Sequence, residues 1–214
     1  MTEPVSFSLL TCRDLIQSIV AAVDARDAYT AHHSDRVAAM AVVLARVLHL
    51  SEDDTTTVQV AAFAHDIGKI SMSDAVLRKA GPLTDAEWEE MRRCPVTGYD
   101  ILRKVPQFQQ VALIVRHHHE RWDGRGYPDQ LAGTAIPLGA RIIAVADSID
   151  AMMSNRSYRP AMTATVCHHE IEKNSGVMYD PQVVAAAMNC WDELVSRYTE
   201  VETPPTPYFD RLQL

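Results

Sequence analysis

Apolar positions recur at helical spacing along almost the whole chain. Leu15, Ile16, Ile19, Val20 and Val23 form one stripe, and Val37, Met40, Ala41, Leu44, Val47 and Leu48 a second, each predicting a helix with a buried face. Ser51 followed by Glu52, Asp53 and Asp54 supplies a cap and first-turn acids for a third helix, on which Val58, Ala61, Ala62 and His65 share the inward face. Thr84 with Glu87 three residues later predicts a capping box, Pro95 suits the first turn of a helix, and Val111, Ile114, Val115 and His118 make another inward stripe. Periodicity resumes with Ile142, Val145, Ala146 and Ile149, and again after Asp180-Pro181, an N-cap followed by a first-turn proline. Strand-like alternation is missing, so the pattern predicts an all-α fold.

Glycines at 124, 126 and 133, with Pro128 and Pro137, mark residues 120–138 as one long irregular segment. Loops of that length inside a domain are usually functional. At 214 residues the chain fits a single domain, expected over 12–200, with an N-terminal extension over 1–11 and a proline-rich tail over 201–214. Trp88 and Trp122 read as packing residues.

Composition narrows the function. The longest unbroken apolar run, Val37 to Ala45, has nine residues, against the roughly 20 that a membrane-spanning helix needs. The N-terminal MTEPVSFSLLTCRD has neither a basic start nor a long apolar stretch, so a cytoplasmic location is expected. Twenty basic against twenty-eight acidic residues give a net charge of −8, which disfavours a DNA or RNA polymer and an anionic membrane. A bound nucleotide would be small and held locally. Cys12, Cys94, Cys167 and Cys190 form no CxxC pair, so they read as thiols. The nine histidines, by contrast, are clustered, at 32–33, 117–119 and 168–169 among other positions.

His65 and Asp66 are followed by Lys69, which places an imidazole, a carboxylate and an ammonium within five residues at the end of a predicted helix. A bridging carboxylate can ligate two cations while the adjacent imidazole serves one. His33 near the start of one helix, His118 and His119 closing another, and Asp147 on the inward stripe of a third supply further donors. Mixed imidazole and carboxylate shells suit Fe, Mn, Ni or Zn rather than Mg or Ca. Burying such groups unpaired would cost a few kcal/mol each.

The blocks HDIGK at 65–69 and HHERWDGRGYP at 118–128 carry a family resemblance. With DAYTAHHSDRV at 27–37, LTDAEWEEM at 83–91, IPLGARIIAVADSIDAM at 136–152 and NRSYR at 155–159, the chain resembles the HD-GYP domains, a branch of the HD phosphohydrolases that hydrolyses cyclic di-GMP. The resemblance covers roughly residues 12–190 and implies an HD-domain-like helical bundle. It implies two divalent transition-metal ions, Fe or Mn before Ni or Zn. His33, His65, Asp66 and Asp147 match the first site, and Asp66, His118 and His119 the second. The fourth ligand of that second site is a histidine in the family, and Cys94 stands in its place.

Three readings of Cys94 stay open. As a thiolate it ligates metal, with a bond of about 2.3 Å against about 2.0 Å for imidazole. As a small apolar filler it sits beside a weakened second site. In the third, catalysis is lost and the domain is a cyclic dinucleotide sensor or adaptor. Tyr29 replaces the glutamate that accompanies a third metal, which leaves Asp27 and Asp150 as groups that orient ligands.

The reaction the resemblance implies is attack of a metal-bridging hydroxide on the phosphodiester, giving a linear dinucleotide and then GMP if a second cleavage follows. Asp66 and Lys69 are the catalytic candidates, with Lys69, Tyr127, Arg156 and Arg159 as substrate contacts. A hybrid cyclic GMP-AMP dinucleotide is the alternative substrate. A regulatory protein partner and a homodimer both remain open. His32 and His117 are expected near the rim of the site rather than on metal.

Overall fold

A computed structural model of the chain describes residues 12–26, 32–155 and 160–200. The expected extension and tail, together with Asp27, Arg156 and Arg159, lie outside the described residues. Among the described residues the protein is helical, without a strand: α1 (Cys12–Asp24), α2 (His33–Val47), α3 (Glu52–Ala64), α4 (Asp74–Leu77), α5 (Asp85–Leu102), α6 (Gln109–His117), α7 (Leu138–Met153), α8 (Ala164–Lys173), α9 (Pro181–Asn189) and α10 (Trp191–Glu200). Short 3-10 turns join them, notably Ile67–Ser71 directly after the His65-Asp66 pair.

The centre of the bundle is α2, packed against α3, α7, α9 and α10. Its run from Val37 to Ala45 is buried throughout, so what the sequence presents as an apolar stripe is a helix enclosed on every side. Ile142, Val145, Ile149 and Ala146 of α7 are fully buried against it, as the periodicity predicts. The caps hold as expected. Ser51 Oγ accepts the Asp54 N–H at 3.1 Å, Thr84 and Glu87 form the capping box, and Asp180 caps α9 by accepting the Gln182 N–H at 2.7 Å.

Two local expectations are corrected. Pro95 does not start a helix; α5 runs through it from Asp85 to Leu102, at the loss of the backbone bond its missing N–H would have made. Trp88, in the first turn of α5, is exposed rather than packed; the buried residues of that helix begin only at Cys94 and Pro95, with Gly98 and Leu102.

Glycine decides how closely the turn at 67–71 approaches α5. A Cβ on Gly68 would lie 1.9 Å from the Cys94 carbonyl oxygen, so only a residue without one lets the two backbones meet. That contact lays Cys94 beside the turn carrying Asp66 and Lys69.

Candidate metal centre

His33 opens α2 and His65 follows the last residue of α3, and their neighbours set the tautomer of each ring. His33 Nδ1 meets Asp150 Oδ2 at 2.6 Å, and His65 Nδ1 meets the Ala62 carbonyl at 2.7 Å. Both partners are acceptors, so each Nδ1 carries the proton and each Nε2 is left as a bare lone pair when the ring is neutral. The two Nε2 atoms lie 3.2 Å apart. Asp66 Oδ2 stands 3.6 Å from His33 Nε2 and 3.5 Å from His65 Nε2, and Asp147 Oδ1, from α7, stands 3.5 Å from His33 Nε2. Donor atoms from His33, His65 and Asp66 all fall within 4.8 Å of one another. A set of lone pairs converging without protons between them fits a cation, and histidines held by a carboxylate or carbonyl at the far nitrogen are how proteins present metal ligands.

A second group adjoins the first. The His118 ring lies edge-on to His65 with centroids 5.2 Å apart, and His119 lies 4.0 Å beyond His118. His118 Nδ1–H donates to the Val115 carbonyl at 2.6 Å, while its Nε2 is buried with no protein hydrogen-bond partner. An orphaned imidazole nitrogen next to a carboxylate cluster is the second observation that fits a metal. Tyr127 follows, its ring 4.9 Å from His119.

The charge states differ along the cluster. Burial works against charge on Asp66, yet Lys69 and then His65 and His33 hold its carboxyl well below the usual range; the Lys69 ammonium is 2.7 Å from Asp66 Oδ2. Burial, and then the neighbouring His65, lowers His118 to about 4, and burial followed by His118 holds His119 well below the usual imidazole range. Both rings therefore stay neutral and able to ligate. His33 is raised: burial opposes its charge, but the hydrogen bond to Asp150 and the charges of Asp147 and Asp150 outweigh it. Asp150 is in turn held low, against its burial, by His33 and Arg36. Arg36, one turn along α2, reaches Asp150 Oδ2 at 3.2 Å and lies over the Tyr198 ring.

Cys94 lies next to the centre, outside the tight cluster. Its side chain is buried among Met72 and Val76, with Leu77, Leu83 and Met91 around them, and burial followed by the Asp66 charge pushes the thiol up to about 12.

One residue at the centre is missing from the sequence reading. Asp24 ends α1, and its carboxyl is raised to about 6 by burial and then by the charge of Asp66, with His33 and Lys69 pulling the other way. The signal was present in the spacing, since Asp24 follows the buried Val20 by four residues and so shares its inward face. His117 is buried rather than at a rim, and both of its ring nitrogens face acceptors, the Leu113 carbonyl at 2.8 Å and Asp129 Oδ2 at 2.9 Å. His32 is exposed beside Asp35.

The segment 120–138 is pinned rather than loose. Arg116 grips Asp129 with two nitrogens at 2.7 and 2.8 Å, Glu120 accepts the Asp129 N–H at 2.7 Å, and the Trp122 N–H donates to the Met178 carbonyl at 3.1 Å. A Cβ on Gly126 would fall 2.4 Å from Glu120 Cα, so glycine lets the loop fold back and present Tyr127 to His119.

The HD domain family profile matches residues 11–183. The chain belongs to the HD domain family. Its HD-GYP resemblance also holds: the chain is 42% identical over 178 residues to the cyclic di-GMP phosphodiesterase response regulator RpfG of Xanthomonas campestris pv. campestris, covering 82% of this chain and 47% of that protein. It is 36% identical over 188 residues to 3′3′-cGAMP-specific phosphodiesterase 2 of Vibrio cholerae, covering 87% of this chain and 36% of that protein. This HD domain thus spans about half the length, or less, of these curated relatives. The fold is similar to the crystal structure of a cyclic GMP-AMP specific phosphodiesterase of V. cholerae, with a TM-score of 0.66 at 21% identity over 87% of this chain and 52% of that one. HD domain phosphohydrolases are metal-dependent, and this member carries a cluster suited to a metal ion. No helix among the described residues is long and apolar enough to cross a membrane.

Proposed function

We propose that this HD domain is a phosphodiesterase that opens cyclic di-GMP to the linear dinucleotide, using two divalent transition metals, Fe or Mn in preference to Ni or Zn. The observation that carries the proposal is the convergence of imidazole nitrogens and carboxylates at His33, His65, Asp66 and Asp147, beside the orphaned Nε2 of His118. His33, His65, Asp66 and Asp147 would hold one cation, and Asp66, His118, His119 and Cys94 the other. Bound there, the metals supply Lewis acidity toward phosphate and bring the pKa of water down from 15.7 toward about 7, so that a nucleophile exists at neutral pH.

The protein's own groups do the rest. Asp150 and the Ala62 and Val115 carbonyls fix the ring orientations of His33, His65 and His118. The Lys69 ammonium, paired with Asp66, would meet a non-bridging phosphoryl oxygen as charge builds there, a contribution on the order of 2–4 kcal/mol for a preorganised donor. Tyr127 offers an aromatic face for a guanine base at the wall of the groove. Arg156 and Arg159 follow α7 in sequence and are assigned to the phosphates, since a guanidinium fork matches phosphate geometry. Cyclic dinucleotide substrate, and a regulatory protein or second copy as partner, belong to the same proposal.

Two other readings have a specific observation behind them. The burial of Cys94 in an apolar cluster favours a weakened second site and, at the extreme, a sensor that binds without cleaving. The V. cholerae relative named for 3′3′-cGAMP favours the hybrid dinucleotide as substrate. Incubation of Fe(II)- or Mn(II)-loaded protein with cyclic di-GMP and with cyclic GMP-AMP, with products resolved by chromatography, separates the three. The proposal expects the linear dinucleotide from cyclic di-GMP at the higher kcat/KM. Tight binding without turnover under any loading contradicts it.

A further inference from the structure

Lys69 is held from behind. The turn at Ile67–Ser71 is a single 3-10 stretch of five residues; the Met72 N–H closes it on the Lys69 carbonyl at 3.0 Å, and the carbonyls that follow need outside donors. Arg26, just after α1, supplies them. Its Nη1 donates to the Lys69 carbonyl at 3.4 Å and the Ile70 carbonyl at 3.1 Å, and its Nη2 donates to the Met72 carbonyl at 2.7 Å and to Asp74 Oδ1 at 2.8 Å. The Arg26 carbonyl in turn accepts from Arg78 Nε at 2.9 Å. One planar cation thus spans the backbone from the Lys69 carbonyl to that of Met72, a task that suits the rigid fork of arginine and not the single ammonium of lysine. On the opposite side of the same residue, the Lys69 ammonium pairs with Asp66.

We propose that Arg26 is a positioning residue for the reaction: by capping the carbonyls of the 67–71 turn it fixes the backbone of Lys69, and with it the place of the ammonium at the metal centre. Lys69 has four side-chain torsions, so a ladder of fixed backbone atoms beneath it limits where the charge can go. The kinetic consequence rests on the phosphodiesterase reading; the structural consequence does not.

The test is a double-mutant cycle on metal-loaded protein. Arg26→Met is expected to lower kcat about 10- to 100-fold, in line with the cost of small misplacements of a positioned group, while KM changes little. Arg26→Lys is expected not to restore the rate. In a Lys69→Met background, Arg26→Met is expected to cost nothing further, whereas the same fold-loss in both backgrounds overturns the inference. Should Arg26→Met fail to fold, Asp74→Ala removes an exposed partner of the same fork and is expected to give a smaller loss that also vanishes without Lys69; a loss that persists there overturns the inference.

A readout without turnover accompanies it. In zinc-loaded protein labelled with [15N]lysine, the Lys69 ammonium resonance, assigned by its disappearance in Lys69→Met, is expected to move toward the position of free lysine in Arg26→Met. An unmoved resonance overturns the inference. Wild-type protein that cleaves no cyclic dinucleotide contradicts the phosphodiesterase reading instead, and the resonance still decides the role of Arg26.

Discussion

His33 and His65, thirty-two residues apart in sequence, face each other through Nε2 atoms 3.2 Å apart, while Asp150 and the Ala62 carbonyl hold the other side of each ring. At that separation a positive charge, a proton on one ring or a metal ion, belongs between the two nitrogens. That relationship suits the cluster to a metal ion.

Asp150 should matter to metal affinity although it is not among the ligands. Its Oδ2 takes the His33 Nδ1 proton at 2.6 Å, which orients the ring and makes its other nitrogen more basic. Asp150→Asn is expected to weaken metal binding about 10- to 100-fold, measured by competition with a chelator of known affinity. Affinity equal to that of the wild type would remove Asp150 from the account.

Cys94→His tests the second site. The thiol, pushed up to about 12 by burial and the Asp66 charge, must lose a proton to ligate, whereas a neutral imidazole need not. The variant is expected to hold the second cation more tightly, seen as a rise in metal retained after dialysis, together with a higher rate. Unchanged retention and rate would mean that Cys94 does not limit the centre.

Asp24 gives the chelator-treated protein a pH signature. Its folded-state pKa is raised from 3.8 to about 6 by burial and then by the Asp66 charge. The native state therefore binds this proton more tightly than the unfolded chain. The stability it contributes is present in full below the unfolded value and is lost as pH rises through about 6. Asp24→Asn is expected to gain in melting temperature relative to wild type on going from about pH 4.5 to about pH 7.5. A melting-temperature difference that does not change between those conditions contradicts the assignment.

The helices and the ligand candidates were legible in sequence for different reasons. Helices followed from periodicity and caps, because Val37 to Ala45 or Asp180-Pro181 state their preference within a few residues. His33, His65, Asp66, His118, His119 and Asp147 followed from residue type and from the resemblance, and folding brings them to one place. What was not legible depends on contacts between distant segments. Trp88 looks like a packing residue until burial in α5 is seen to begin only at Cys94 and Pro95, and Pro95 looks like a helix start until the helix is seen to run through it. Asp24 is one acid among many until α1 docks on the 67–71 turn, and Arg26 carries no local sign that its guanidinium reaches carbonyls more than forty residues away.

Metal stoichiometry tests the central claim most directly. Protein purified without added metal, loaded with Mn(II) or anaerobically with Fe(II), freed of excess by gel filtration and measured by elemental analysis, is predicted to retain two metal ions per chain. Loaded protein that retains no metal would contradict the claim that these side chains form a two-cation centre.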